Sequence, residues 1–472
     1  MKIEQIYTGC LAEAAYYIES NGEAAIIDPL RETQPYIEKA KRDGAKIKYI
    51  LETHFHADFV SGHIDLSRKT GATIVFGPTA APGYDAYVAK DGEELKLGNI
   101  TIKVLHTPGH TMESTTFLLK DENGTDKAIF TGDTLFIGDV GRPDLVQKVK
   151  PEITPDYLAG LLFDSLRNKI MPLADDVIVY PGHGAGSACG KNMSRETTDT
   201  LGRQKQFNYA LRPDMGRDEF IKEVTDGLVA PPQYFPSNVI MNLKGGIDSI
   251  DDVVKRGTRA LAPKKFQLVW EAENALVIDT RSKDEFPAAF LPGSVFIGLD
   301  DQFAPWVGAL VTDLKQPILL VTDEGRAEEA VIRLSRVGYD NAIGFLEGGV
   351  AAWKAAGMDT ESLEQVEAEI FSGMYNTGHI NLLDVRKESE YQSQHIEHAV
   401  NFPLDFINQN MSMIDKNKKY FLHCAGGYRS VIAASILKSR GFEQVVNIKG
   451  GFKALQAAGL PVTAFTEQKT ML

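Results

Sequence analysis

The feature that most constrains this chain's fold is an internal repeat in its second half. ALVIDTRSKDEF (275–286) returns as NLLDVRKESEY (381–391), and QPILLVTDEGRAEEAVIRLSRVGY (316–339) returns as KKYFLHCAGGYRSVIAASILKSRGF (418–442). AIGFLEGGVAAWKAAGM (342–358) likewise returns as VVNIKGGFKALQAAGL (445–460). The offset is roughly 100 residues, which is domain-sized rather than solenoid-sized. Each copy reads strand, helix, strand, helix, so each is predicted to be a small α/β unit with a parallel sheet. At 472 residues the chain is too long for one core. The expected layout is an α/β multidomain protein: one large domain over 1–245 and two related ones over 246–362 and 363–472.

The first 245 residues hold six of the ten histidines: His54, His56, His63, His106, His110 and His183. Short apolar runs alternate with turns: AAIIDP, KIKYILET, ATIVFG, ITIKVLHTPGH, KAIFTGDTLF and DVIVYPGHG. Most of these runs lead into a turn bearing His or Asp, and strand ends are where layered α/β folds build their sites. The Pro/Gly-rich stretch VAPPQYFPSNVIMNLKGG (229–246) closes this region.

Four turns offer metal ligands: THFHAD with His54, His56 and Asp58; HTPGHT with His110; FTGDTLF with Asp133; and YPGHG with His183. A lone histidine is usually structural, but four such turns in this order point jointly to a metal site. The set HxHxD, PGH, GD, GH resembles the metallo-β-lactamase superfamily over about the first 245 residues. That resemblance implies a four-layer αβ/βα sandwich. In dinuclear members the residue after the motif aspartate is a histidine that binds the second metal; here it is Phe59, which has no donor. A single ion held by His54, His110 and Asp133 would have the facial triad of non-haem Fe(II) oxygenases.

Within the superfamily, GDVGRPDL (138–145) and GHGAGSACGKN (182–192) are similar to the persulfide dioxygenases. The resemblance implies one Fe(II) per chain, with His56, Asp58 and His183 orienting ligands or water. Arg142 and Asp144 are then expected to form a buried pair supporting the site. His63 and His106 read as hydrogen-bonding structural histidines.

HCAGGYRS (423–430) follows the apolar run KKYFL and precedes a helical run. A cysteine opening a Gly-rich turn at a helix start is placed for thiolate stabilisation, and Arg429 adds a cation able to bind an oxyanion. A CxxxxR turn suits a sulfurtransferase or a Cys-based phosphatase. The flanks LLDVRKESEYQSQHIEHAVNFP and KGGFKAL resemble the rhodanese family, which implies that Cys424 carries a sulfane sulfur as a persulfide. In the earlier repeat, Val321 falls near the position of Cys424, Asp323 and Glu324 bring acid groups, and Arg326 is set against Arg429. That copy is expected to be an inactive scaffold. Cys189, six residues past His183, either relays sulfur or only packs; Cys10 reads as a core residue.

Composition sets limits. A formal charge of −14 and pI near 5.3 argue against nucleic acid or an anionic membrane as partner. No apolar run is long enough to span a bilayer, and the start lacks the layout of a secretion signal. Three widely spaced cysteines do not make a disulfide framework. A cytoplasmic homo-oligomer is expected. The resemblances together imply that a low-molecular-weight persulfide (of glutathione, coenzyme A or a similar thiol) is oxidised by O2 to sulfite. The rhodanese cysteine would then form or use thiosulfate, in sulfide and persulfide detoxification. The rival readings are a zinc thioester hydrolase like glyoxalase II and a non-catalytic sulfur carrier or sensor.

Overall fold

A computed structural model describes residues 1–145, 147, 152–375 and 380–466. It divides into two compact units, one built chiefly on Met1–Ile250 and the other on Asp251–Ser335 with the chain from Tyr339 onward.

The first unit holds two six-stranded sheets. In one, Lys2–Thr8, Glu13–Ser20, Glu23–Ile27, Lys46–Glu52, Thr73–Phe76 and Tyr87–Val88 lie side by side in chain order. Its first three strands are antiparallel, and pairing turns parallel from Glu23–Ile27 onward. In the other, the order is Asp199–Thr200, Ile178–Pro181, Asp126–Gly132, Thr115–Lys120, Ile100–His106, Glu94–Leu97.

Successive strand residues point to opposite faces, and here both faces are buried. Ala14, Tyr16 and Ile18 share one core with Val104, Phe117, Leu119 and Phe130 of the second sheet. Their neighbours Ala15 and Tyr17 pack the other way, with Ile26 and Ile50, onto Tyr36, Ala40, Ile64 and Leu66. Those four come from the helices Gln34–Arg42 and His63–Thr70. The second sheet's outer residues Leu118, Ile129 and Val179 pack with Leu162 and Phe220 of the helices Pro155–Ser165 and Arg217–Thr225. Burial on two sides explains why these strands read as continuous apolar runs. The architecture is the expected αβ/βα sandwich.

The second unit contains two five-stranded parallel sheets of the same order. One runs Ala260–Leu261, Ala342–Leu346, Ile318–Val321, Leu276–Asp279, Val295–Phe296. The other runs Glu364–Val366, Val445–Ile448, Tyr420–His423, Asn381–Asp384, Val400–Asn401. Each has its own core, around Phe266 and Trp353 in one and Phe371 and Phe421 in the other.

The paired registers correct one sequence-based equivalence. Asp279 pairs with Val321 just as Asp384 pairs with His423. Thr322, not Val321, therefore stands where Cys424 stands. Four residues past that strand end in each copy stands a glycine, Gly325 (φ 78°) and Gly427 (φ 100°), in the left-handed region that glycine tolerates. Arg326 then matches Tyr428, and Ala327 matches Arg429. Matching the two arginines by chemistry instead shifts the turn by one residue.

Candidate metal centre and thiol cradle

Four strands of the first unit end on the same patch. Lys46–Glu52 leads to Thr53 and His54, Ile100–His106 to His110, Asp126–Gly132 to Asp133, and Ile178–Pro181 to His183. Glycine is needed where these ends crowd together. A Cβ on Gly182 would lie 2.7 Å from Asp133 Oδ1, and one on Gly132 would lie 2.5 Å from Thr53 Oγ1.

One donor from each of His54, His110 and Asp133 lies within 4.8 Å of the other two, and all three residues are buried. Asp133 Oδ2 is 3.4 Å from His110 Nε2 and 4.0 Å from His54 Nε2. The tautomers follow from the partners. Thr53 Oγ1 spends its proton on Asp28 Oδ2 at 2.7 Å, so it accepts from His54 Nδ1 at 3.0 Å. His110 Nδ1 donates to the carbonyl of Arg142 at 2.8 Å. Both Nε2 lone pairs are thus left facing Asp133, whose two oxygens are buried without a hydrogen-bond partner. A buried carboxylate with no donor beside two free imidazole nitrogens fits a cation. Burial and the neighbouring imidazoles hold His54 well below the usual histidine pKa, which keeps it a neutral ligand.

His56 does something else. Its Nε2 lies 3.1 Å from Asp28 Oδ1 and 3.6 Å from Glu52 Oε2. Burial disfavours its protonation, but the carboxylates of Asp28, Glu52 and Asp58 outweigh that and hold its pKa at about 9. His56 thus faces away from Asp133, and with Asp28 and Glu52 it makes a separate compact, buried donor set in which neither ring nitrogen of His56 has a hydrogen-bond partner. Phe59 is fully buried and packs its ring on His56 at 4.2 Å between centroids.

On the far side of Asp133, His183 Nε2 lies 3.5 Å from Oδ1 and 3.3 Å from Asp58 Oδ2. Its Nδ1 donates to the carbonyl of Ala12 at 3.1 Å. Cys189 joins Asp58 and His183 in a second compact, buried donor set. Burial, with Asp58 and Asp133 nearby, pushes the Cys189 thiol well up. That works against a nucleophilic sulfur relay at neutral pH.

Arg142, itself buried, makes a bidentate pair with the partly exposed Asp144 at 2.6 and 2.7 Å. The same guanidinium donates to the carbonyls of Ala188 (3.2 Å) and Val229 (2.6 Å), so it fixes the loop that carries Cys189. His63 bonds the hydroxyl of Tyr84 at 2.7 Å, and His106 Nε2 bonds the carbonyl of Met112 at 2.9 Å. Sequence reasoning passed over Thr53, Asp28 and Asn242. Asn242, from the helix Phe235–Lys244, donates to the carbonyls of His56 and Phe59 at 2.8 Å and accepts from Ser61 N–H at 2.9 Å. It clamps the His54–Asp58 loop from a residue far along the chain.

In the second unit, the strand Tyr420–His423 ends at Cys424 and the helix Tyr428–Ser439 begins four residues on. Gly427 N–H points at Cys424 Sγ at 3.1 Å, and Ser430 Oγ lies 3.6 Å from it. The thiol sits in a backbone cradle at a helix start. Arg429 does not face this sulfur freely. Its two terminal nitrogens grip Glu390 at 2.5 and 2.8 Å. Arg386 is gripped likewise by Asp384 and lies 4.1 Å above the Phe452 ring. His423 bonds backbone through Nδ1, and its Nε2 lies 3.7 Å from Asp384, so it is no base for the thiol.

Comparison with known proteins agrees with both halves. The metallo-beta-lactamase superfamily model matches residues 8–183, and the rhodanese-like domain model matches 263–356 and 367–458. The hydroxyacylglutathione hydrolase GloC of Haemophilus influenzae is 33% identical over 189 residues, 36% of this chain and 83% of that protein. The mitochondrial persulfide dioxygenase ETHE1 of Homo sapiens is 28% identical over 229 residues, 48% of this chain and 81% of that protein. A crystal structure of a metallo-beta-lactamase from Staphylococcus aureus subsp. aureus COL is 32% identical with a TM-score of 0.63, covering 73% of this chain and 98% of that one.

Proposed function

The chain belongs to the metallo-β-lactamase superfamily and carries two rhodanese-like domains, and from that premise we propose that it is an iron-dependent persulfide dioxygenase coupled to a sulfurtransferase. The reaction is RSSH + O2 + H2O → RSH + H2SO3, with the terminal sulfur oxidised and dioxygen reduced. Fe(II), when bound by His54, His110 and Asp133, would supply the redox chemistry with dioxygen. The protein's own groups set the conditions. Asp28 and the Arg142 carbonyl, acting through Thr53 and directly, hold the two imidazoles with Nε2 inward. Arg142 and Asp144 hold the adjoining loop, and Asp58 and His183 border Asp133 on its other side.

The observation that carries this reading is the turning of His56 onto Asp28 and Glu52. It leaves a two-histidine, one-carboxylate set rather than a three-histidine zinc site. Phe59 supports it by offering no donor beside Asp58. Cys424, in its backbone cradle, takes the sulfane sulfur of a persulfide and passes it to sulfite, RSSH + SO3²⁻ → RSH + S2O3²⁻ in sum. The first rhodanese-like domain, with Thr322 in the cysteine's place, serves as scaffold.

Zinc-dependent thioester hydrolysis is the second reading, favoured by the Asp58–His183 pair beside Asp133 and by the hydroxyacylglutathione hydrolase relative. Oxygen uptake with glutathione persulfide or coenzyme A persulfide, alongside metal analysis of the purified chain, separates them. Iron with persulfide-dependent oxygen uptake is the expected result. Zinc with no oxygen uptake would overturn the dioxygenase reading.

A further inference from the structure

We propose that the first rhodanese-like domain carries a binding pocket for a small alkylated ammonium ion, at the edge of its sheet opposite the Thr322 turn. A cavity of about 560 Å³ is lined by Trp270, Glu271, Trp353, Met358 and Asp359, from the helices Pro263–Glu273 and Gly349–Ala355 and the residues just past the second. That volume is of small-molecule scale. Asn274, on its rim, leads directly into the strand Leu276–Asp279, so the cavity lies where the parallel strands begin. Thr322 follows the far end of the neighbouring strand Ile318–Val321.

The walls are fixed and their chemistry favours a cation. The fully buried Phe266 holds both indoles edge-to-face, with centroids 6.3 Å from Trp270 and 6.1 Å from Trp353. Trp353 Nε1 donates to the Asp359 carbonyl at 2.8 Å, so this indole has no donor left for an anion. Glu271 and Asp359 are exposed carboxylates, and only one oxygen of Glu271 accepts from Gln267, at 3.0 Å. Among the described residues, no basic side chain lines the cavity. An indole attracts a cation through its ring quadrupole, and nearby carboxylates add to the pull. Alkyl groups on the nitrogen would also cover apolar surface on Met358 and the rings.

The second copy shows that this pocket is not imposed by the fold. Asp279 matches Asp384, and Gly348–Gly349 match Gly450–Gly451, each pair with positive φ. Phe266 then falls on Phe371, Trp270 on Tyr375, Trp353 on Leu455 and Asp359 on Pro461. The core phenylalanine is kept, while the two indoles and the aspartate belong to the first copy alone. In the second copy, the Tyr375 hydroxyl donates to the Glu397 carbonyl. The copy without a cysteine in its turn is thus the one with an aromatic, acidic cavity. The proposal stands whichever reaction the metal centre and Cys424 perform.

The test titrates the full chain with choline and with its neutral carbon isostere, in which a tert-butyl group replaces the trimethylammonium. Saturation-transfer NMR reads the bound probe, and indole fluorescence reads the pocket, which holds two of the three tryptophans. Choline is expected to shift the emission and to bind about fivefold tighter than the isostere. Trp270→Ala should abolish binding, with circular dichroism reporting that the chain is folded. Glu271→Gln together with Asp359→Asn changes only exposed side chains, and should weaken choline about threefold while leaving the isostere unchanged. Equal binding of the two probes, choline binding that survives Trp270→Ala, or no choline binding at tens of millimolar overturns the site. Choline binding unchanged by the two carboxylate substitutions overturns it as well.

Discussion

At the scale of single residues, the candidate metal centre depends on side chains outside its own donor set. Thr53 fixes the His54 tautomer by giving its proton to Asp28 and accepting one from Nδ1. Thr53→Val keeps the shape and removes that acceptor, so metal affinity at the triad should fall by about 10–100-fold. Competition for iron with a calibrated chelator measures it, and an unchanged affinity would remove Thr53 from the account. Asn242 holds three backbone groups of the ligand loop. Asn242→Ala leaves those groups buried without partners and should cost about 3 kcal/mol, read from urea unfolding. The candidate ligands were legible in sequence because each follows an apolar run in a His-poor chain. Thr53 and Asn242 were not, since a threonine before a histidine and an asparagine in a distant helix carry no pattern until the fold brings them together.

At the scale of elements, the two C-terminal sheets show what the repeat could and could not convey. The alternation of strand and helix and the parallel pairing were readable from the recurring apolar runs, because a parallel α/β unit imposes that alternation. The register of the turn after the third strand was not. The arginines were the eye-catching match, and backbone pairing sets Arg326 against Tyr428 instead. The corrected register gives a sharper test of the proposal that the first copy is a scaffold. A chain carrying Thr322→Cys and Cys424→Ser places a thiol at the same strand end, before the same left-handed glycine. Its turn, however, has Asp323 and Glu324 where the other has Ala425 and Gly426. Arg326 is spent on Asp300 and Glu329 at 2.7 and 2.8 Å. Two carboxylates at the cradle raise a thiol's pKa, so alkylation at neutral pH should run at least about tenfold slower than at Cys424 in the native chain. Equal rates would mean that the cysteine alone was missing, and that the acidic turn is irrelevant.

At the scale of the whole molecule, the two proposed chemistries share one currency, sulfane sulfur, and are assigned to separately folded cores. Each centre takes its orienting partners from its own unit: Thr53, Asp28 and Arg142 in one, Gly427, Glu390 and Asp384 in the other. Removing one should therefore leave the other intact, and the dissociation should run both ways. Cys424→Ser removes the sulfur-carrying atom without touching a metal ligand. The variant should keep oxygen uptake on a supplied persulfide and lose thiosulfate formation when sulfite is present. Chelation of iron should do the reverse, abolishing oxygen uptake while Cys424 still transfers sulfur from persulfide to added sulfite. The two losses are independent because the metal set and the thiol cradle share no residue. Joining them on one chain then serves to raise the local concentration of the sulfur species passed between them. If, with thiosulfate and a thiol given in place of persulfide, Cys424→Ser also abolished oxygen uptake, the cysteine would have to act before the dioxygenase step, loading the persulfide that the first unit consumes. Supplying the preformed low-molecular-weight persulfide to that variant decides the order, since a loading role is bypassed and a later role is not.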